Sequence, residues 1–461
     1  MTDVLVFVPG LMGSELWLGN DKVWPGSGWD AVAGFSQKEF ERLMREDLEP
    51  RAILRKAVGG FLEIYEEWIA RFERLRSIED NRRLFQEQEG TLVTVPYDWR
   101  KPIAGAADLL ANALDKVVIE KGQAVKILLV AHSMGGLVSR YYLQSGNFKE
   151  RPAFKQVKTF VTLGTPHNGA PIALAGVVGK HKTSFLSVEQ SMRLSGDVRY
   201  PSLYQTFPDK DYPLVWERTS GGKLMPRTLG DRNFAIDTLG LNAQNYEAYR
   251  QFRDAIDGPY PPLRRFVLMG TRYETMTHFF WTGGKTLQPV MSKDGGDGTV
   301  SIQGAYLGDA QCRFTGEAHV TLVNAEEARQ TFQELVGATG MLATPQVQVS
   351  VRDLVVDQGA PVQISIITDG RLDRLSGEVV LVGAPLPANT SAEPTNVEFR
   401  PLRGRAPQPF SYDGPRIAGA NLILSGVPTP GLYRVLLRST SSVEPIAESA
   451  TFVVTGTSPV Q

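Results

Sequence analysis

The sequence predicts an α/β protein, a mostly parallel sheet covered by helices on both faces and enlarged by partly helical insertions, with an all-β module behind it. Three observations predict this. Short apolar runs alternate with helical patterns through residues 1–340, two long excursions interrupt the alternation, and from Pro345 onward the hydrophobic period drops to two. The composition changes at the same place: no Lys follows Lys293, no Trp follows Trp281, and only 5 of the 42 aromatic residues lie in the last 121 positions. Two differently built domains are expected, 1–340 and 345–461, in keeping with a chain of 461 residues at roughly 150 residues per domain.

The expected strands of the first domain are Val4 to Val8, Thr91 to Val95, Val125 to Ala131, Val157 to Leu163 and Phe266 to Met269. Each is a short run of aliphatic residues, suited to a strand buried on both faces. Helical spacing covers Ala104 to Ile119, Gly136 to Gln144 and Ala325 to Val336. The excursions, about 12–90 and 170–264, are too long for structureless loops and are expected as insertions that cap one end of the sheet. Glu39 to Asp47 and Phe61 to Leu75 supply helical spacing within the first. The longest uncharged stretch, Thr159 to Gly179, contains Pro166, His167, Asn168 and Pro171, so it reads as strand, turn and short helix and not as a membrane span.

In the last quarter, Val347 to Val351, Val362 to Ile366, Glu378 to Val382, Val397 to Phe399, Asn421 to Leu424, Tyr433 to Leu437 and Thr451 to Val454 make about seven short strands between Gly, Pro and Asp. That spacing predicts a β-sandwich of immunoglobulin-like type. Tyr433 is either a tyrosine corner or a plain edge-strand tyrosine.

With 49 basic against 50 acidic residues the chain is close to neutral, and the balance holds on both sides of residue 340, which argues against a polyanionic partner and so against nucleic acid. The single thiol, Cys312, excludes an internal disulfide framework and a cysteine-based zinc site. It fits a reducing compartment, and the N-terminus reads at once as a buried strand with no basic leader, so a cytoplasmic location, peripheral to membrane at most, is expected.

The chemistry is carried by Val125-Lys-Ile-Leu-Leu-Val-Ala-His-Ser-Met-Gly-Gly136. A hydrophobic strand runs into Ala131-His-Ser-Met-Gly135 and a helix follows directly, the pattern of a nucleophile elbow. There a strained turn lifts the Ser133 hydroxyl above the sheet and requires tiny residues two positions to either side; Ala131 stands where the first glycine is usual. A hydroxyl is a weak nucleophile at its free pKa, so it needs a base, and the base needs an orienting carboxylate. In the α/β-hydrolase order both follow the serine. His319 lies just before the last helix of the sheet domain, and Asp297 lies 22 residues upstream in the turn Lys293-Asp-Gly-Gly-Asp-Gly-Thr-Val300. Asp294 is the local competitor, and Asp297 is preferred because it directly precedes Gly-Thr-Val-Ser. The backbone amides of Met134 and Leu11, the latter in the turn after the first strand, are expected to hold the oxyanion.

Taken in order, Phe7-Val-Pro-Gly-Leu-Met-Gly-Ser-Glu-Leu-Trp17, Pro96-Tyr-Asp-Trp-Arg100, Ala131-His-Ser-Met-Gly135, Leu163-Gly-Thr-Pro-His-Asn-Gly169, Tyr200-Pro-Ser-Leu-Tyr204, Gly296-Asp-Gly-Thr-Val300 and His319 resemble the lecithin:cholesterol acyltransferase family of α/β-hydrolases, across residues 5 to about 335. The resemblance implies a Ser133, Asp297, His319 triad, an oxyanion hole at Leu11 and Met134, and activity on acyl esters of lipids. The family's secreted members carry leaders and disulfides, neither of which is expected here, and the family pattern does not explain the β-module.

Tyr97, Asp98, Trp99 and Arg100 are expected at the active-site rim, with Asp98 and Arg100 paired beneath the cap. His132 is expected to pack away from the catalytic face and His167 to be a satisfied loop residue. Trp17, Trp24 and Trp29, with Phe279-Phe280-Trp281, are either core or an apolar surface that docks on a membrane. No cofactor and no metal is expected. The leading expectation is a serine esterase, phospholipase or O-acyltransferase working through an acyl-enzyme. The alternative is a non-catalytic binding or assembly module whose β-sandwich docks a protein partner.

Overall fold

Alternation within short apolar strands decides which residues meet which helices. The computed structural model describes residues 2–26, 35–58, 62–79, 81–183, 185–219, 222–281, 283, 286–339, 347–385, 397–439 and 447–456. Six parallel strands form its central sheet: β1 (Val4–Val8), β2 (Leu92–Thr94), β3 (Ile127–His132), β4 (Val157–Leu163), β5 (Arg264–Gly270) and β6 (Gln311–Thr315). Their order across the sheet is β6-β5-β4-β3-β1-β2, every neighbouring pair parallel. In β1, Val4, Val6 and Val8 face one buried cluster and Leu5 and Phe7 the other; in β3, Ile127, Leu129 and Ala131 face the first and Leu128 and Val130 the second. This is the period of two that sends successive side chains to opposite faces.

The first face is covered by α1 (Ile103–Lys121) and α2 (Met134–Gln144). The second is covered by α3 (Glu326–Val336) together with the Glu66–Arg74 helix, whose Trp68, Ile69 and Phe72 are buried among Leu5, Phe7 and Phe332. This corrects the reading of 12–90 as a cap over one end of the sheet, because its most amphipathic helix closes a face. The excursion also holds strands, Ser14–Leu18, Asp21–Trp24 and Glu49–Ile53 in one small sheet. A further difference follows β5. A long antiparallel hairpin, Tyr273–Trp281 with Leu287–Gly296, stands between it and the Asp297 turn.

The aromatic residues weighed as a docking surface divide mostly inward. Trp24 is buried between Phe35, Trp99 and Phe185, and Phe279 is fully buried. Trp17 is partly buried beneath Lys22 and Arg51, Phe280 and Trp281 are partly buried, and Trp29 lies outside the described residues. Among the described residues no helix is long and apolar enough to cross a membrane.

The C-terminal strands form one antiparallel-rich sheet in which β7 (Val347–Val351) pairs with a 24-residue strand, Val362–Pro385. That strand unites two of the expected short ones. Gln408–Leu424, Gly431–Ser439 and Ala447–Thr455 complete the order, and Val355–Asp357 adds a parallel edge that the sequence pattern did not suggest. Val397 to Phe399, expected as a strand, gives way to a two-residue one at Arg400–Pro401. Pro345, the expected boundary, lies outside the described residues. The strand bearing Tyr433 is paired on both sides, so Tyr433 is not an edge residue, and its hydroxyl donates to the Thr429 carbonyl at 2.7 Å. Apolar contact is continuous across the junction: Leu432 and Val453 belong to the same buried cluster as α1 and α2.

Candidate active site

The chain runs from β1 to β2 on one side and then returns to place β3 on the other, so β1 and β3 are neighbours at a reversal of strand order. Open α/β sheets bind ligands at the carboxyl ends of strands at such a point. Ser133 follows β3 there, and the Pro9–Gly13 turn follows β1.

Ser133 has φ 52° and ψ −127°, a backbone conformation that L-residues rarely adopt, and α2 begins at the next residue. The strain is held by close packing. A Cβ on Gly135 would lie 2.4 Å from the carbonyl oxygens of both Val8 and Pro9, so only glycine lets α2 approach β1. Ala131, fully buried, fits at the other small position.

Ser133 stays partly exposed, while His319 and Asp297 are buried. His319 Nε2 lies 2.9 Å from Ser133 Oγ and His319 Nδ1 lies 2.8 Å from Asp297 Oδ2. Asp297 Oδ1 accepts from the amides of Thr299 and Val300 at 2.9 and 2.7 Å, and its own carbonyl accepts from the His319 amide at 2.9 Å. Asp294 is exposed in the preceding strand, so of the two candidate acids it is Asp297 that meets the imidazole.

The Pro9–Gly13 turn is closed by the Gly13 amide on the Gly10 carbonyl at 3.0 Å and sits against the nucleophile, since a Cβ on Gly10 would come within 2.9 Å of Ser133 Cβ. Gly10 is therefore beside Ser133, and Leu11 follows it in the turn. Met134 opens α2, where the first N–H groups have no partner inside the helix. Leu11 and Met12 also line an apolar cleft with Trp99, Leu186, Leu194 and Leu203. A larger, charged cavity of about 480 Å³, lined by Glu15, Arg51, Arg55 and Glu87, contains none of the three residues Ser133, His319 and Asp297.

The expected rim residues are braces. Tyr97 donates from its hydroxyl to the Pro9 carbonyl at 2.9 Å, fixing the start of the turn that holds Leu11. Arg100, fully buried, donates from Nε and Nη2 to the two oxygens of Asp98 at 2.8 and 2.7 Å and from Nη1 to the carbonyls of Leu43 and Arg45. Its guanidinium lies over the Tyr200 ring. Trp99 packs edge-on against Trp24.

His132 is buried as expected, yet it does not turn away from the base. Its ring is 5.0 Å from that of His319, and Nε2 lies 2.9 Å from the His319 carbonyl. A carbonyl only accepts, so Nε2 carries the proton. Burial, helped by the neighbouring His319, pushes His132 down to about 3, so the ring is neutral and Nδ1 is free to accept from the Tyr65 hydroxyl at 2.7 Å. That hydroxyl in turn accepts from the Gly10 amide at 3.0 Å. Tyr65 was not singled out by sequence reasoning: it lies 55 residues from Gly10 and 67 from His132, and no local pattern marks it. His167, also buried, bonds Thr162 through Nε2 at 2.9 Å, and its Nδ1 finds no partner among the described residues, so the expectation of full satisfaction does not hold.

A strained serine after a central strand, followed in the chain by acid and base on later loops of one parallel sheet, is the arrangement of an α/β-hydrolase. Residues 64–225 match the family described as Lecithin:cholesterol acyltransferase. The Lysosomal phospholipase A and acyltransferase of Bos taurus is 28% identical over 219 residues, which is 46% of this chain and 51% of that one. The Homo sapiens protein of the same name is 25% identical over 260 residues, 53% and 58% of the two chains. The chain thus spans about half the length of the curated relatives it matches. Among solved structures, the Bacillus licheniformis lipase BlEst2 in propeptide form aligns over 98% of this chain and 93% of its own at 12% identity, with a TM-score of 0.33. The metagenomic carboxyl esterase MGS0156 aligns over 69% and 65% at 13% identity, with a TM-score of 0.30. Through residues 64–225, the stretch that bears the Ser133 elbow, the chain is similar to the lecithin:cholesterol acyltransferase family.

Proposed function

We propose that this protein is a serine hydrolase or O-acyltransferase acting on acyl esters of lipids. The observation that carries the reading is the Ser133, His319, Asp297 relay, with contacts of 2.9 and 2.8 Å, in a chain whose residues 64–225 match the lecithin:cholesterol acyltransferase family. Ser133 Oγ attacks the ester carbonyl while His319 Nε2 takes its proton. Asp297 holds Nδ1–H and so fixes the tautomer that leaves Nε2 able to accept. The tetrahedral oxyanion is met by the amides of Leu11 and Met134, each such donor being worth roughly a hundred- to a thousand-fold in rate. His319 returns the proton to the departing alcohol, leaving an acyl-Ser133. Water releases the fatty acid, or a lipid alcohol takes the acyl group, and the names of the relatives, phospholipase A and acyltransferase, support both fates.

In this reading the protein meets its substrate at a lipid surface, and the apolar cleft beside Leu11 receives part of the lipid. The C-terminal module is read as an immunoglobulin-like sandwich, supported by the corner-like bond from Tyr433 to Thr429.

The test is labelling with a fluorophosphonate, followed by incubation with mixed phospholipids with and without a lipid alcohol. We expect one adduct, lost in Ser133→Ala, and free fatty acid or new ester as products. A wild-type protein that takes no label is not a serine hydrolase, and label persisting in Ser133→Ala places the nucleophile elsewhere.

A further inference from the structure

The strand β7 reads Val347-Gln-Val-Ser-Val351 and is followed by Arg352. Val349 and Val351 are buried in the core of the C-terminal module. Ser350 and Arg352 alternate with them and face the other way, where an isolated sheet of this kind would meet water. Here that face lies against two loops of the hydrolase domain.

Arg352 Nη2 donates to the carbonyl of Gly298, the residue after Asp297, at 3.2 Å. The contact is close enough that a Cβ on Gly298, where φ is +94°, would fall 2.7 Å from Arg352 Nε. The preceding peptide is held by the Thr275 hydroxyl, which accepts from the Gly298 amide at 2.9 Å. Ser350, 5% exposed, reaches the carboxyl group of Glu317, two residues before His319, and lies 3.4 Å from the Tyr273 hydroxyl. Arg352 is itself fixed by its own module, through its amide on the Gln363 carbonyl at 2.9 Å and Nη1 on Gln363 Oε1 at 3.1 Å. One strand therefore touches the acid loop with one residue and the base loop with the next on the same face.

We infer that Ser350 and Arg352 are positioning residues for Asp297 and His319, and that the C-terminal module is a working part of the catalytic unit. The inference rests on the triad reading above. Its physical basis is the steepness of catalysis with geometry, where a displacement of about 1 Å in a catalytic group costs on the order of a hundredfold. Neither residue touches the reacting atoms. Their effect is on where the Asp297 carboxylate and the His319 ring come to rest.

The test uses the full chain and a soluble short-chain ester, with fluorophosphonate labelling and thermal unfolding of every variant. Arg352→Ala and Ser350→Ala are each expected to lower kcat about tenfold, and the label rate in parallel, with KM unchanged. Arg352→Lys, which keeps a cationic donor near Gly298, is expected to recover part of the loss. The control is Lys182→Ala, which removes another contact across the junction, the ion pair with Asp357, without touching either loop, and is expected to keep kcat. Wild-type kcat in a folded Arg352→Ala overturns the inference while leaving the triad reading intact. So does an equal loss in Lys182→Ala, because it would mean that any loosening of the junction suffices. Failure of the wild type to take label overturns the catalytic reading and the inference with it. Should Arg352→Ala not fold, Arg352→Lys and Ser350→Ala carry the same comparison.

Discussion

The Tyr65 hydroxyl donates to Nδ1 of His132 at 2.7 Å, and this bond ties the two sides of the site together. On one side it takes the Gly10 amide, next to Leu11; on the other, the His132 ring passes the connection to the carbonyl of His319. Tyr65→Phe leaves the Gly10 amide and His132 Nδ1 buried without this partner, at about 1–3 kcal/mol of stability. Denaturant unfolding should read that loss. Ester turnover should fall roughly tenfold, because both the Pro9–Gly13 turn and His319 lose a constraint; full activity in Tyr65→Phe would show that packing alone holds them.

Arg100 and Asp98 are expected to matter for folding and not for substrate recognition. Removing one member of a buried, paired and hydrogen-bonded couple costs about 3–5 kcal/mol. Arg100→Met and Asp98→Asn should therefore lower the unfolding midpoint sharply, while the KM of the surviving folded fraction on a soluble ester stays unchanged. A raised KM with normal stability would assign the pair to the substrate.

Gly135→Ala puts a methyl group where 2.4 Å separates it from the backbone oxygens of Val8 and Pro9, at the end of β1. The elbow must open to admit it, moving Ser133 from His319. Turnover should drop at least a hundredfold, on the order of the cost of a 1 Å shift, whereas Ala131→Gly, which only removes a methyl group, should keep most of it. The comparison of the two in one assay checks the tightness of the turn.

Glu317 makes stability depend on pH. Burial pushes its carboxyl up to about 7, partly opposed by bonds from Thr321 and Ser350. A raised acid binds more protons folded than unfolded, so its contribution is fully present below its unfolded value near 4.5 and is lost as pH rises through about 7. Between those limits it contributes a slope of at most about 1.4 kcal/mol per pH unit. Unfolding measured from pH 4.5 to 8 should show a steeper decline in the wild type than in Glu317→Gln, and identical slopes would mean that the carboxyl ionises freely.

What the sequence made legible follows from how local each signal is. Strands such as Val4–Val8 are uninterrupted apolar runs and need no partner to be recognised, and the Ser133 elbow is a pattern only a few residues long. The edge strand β6, Gln311–Thr315, was invisible because only Thr315 is buried in it and its composition resembles a loop. The hairpin after β5 was missed because its Phe279-Phe280-Trp281 run was weighed only as core or docking surface, not as a strand; Phe279 is buried and Phe280 and Trp281 are partly so. Residues that brace the site were the least legible. Tyr65, Ser350 and Arg352 make their contacts across tens of residues of chain, and Gln348, Ser350 and Arg352 read as the wet face of an ordinary strand because nothing in a period of two says what will cover it.

The strand order has a consequence for synthesis. The groups that meet at the carboxyl ends of β1 and β3 leave the ribosome far apart in time: the Pro9–Gly13 turn first, Ser133 next, His319 much later, and Arg352 later still. At about 5–20 residues per second, roughly 10–45 s pass between the emergence of Ser133 and that of Arg352. Ser133 therefore emerges 164 residues before Asp297 and 186 before His319, and through that interval its hydroxyl has neither side chain beside it.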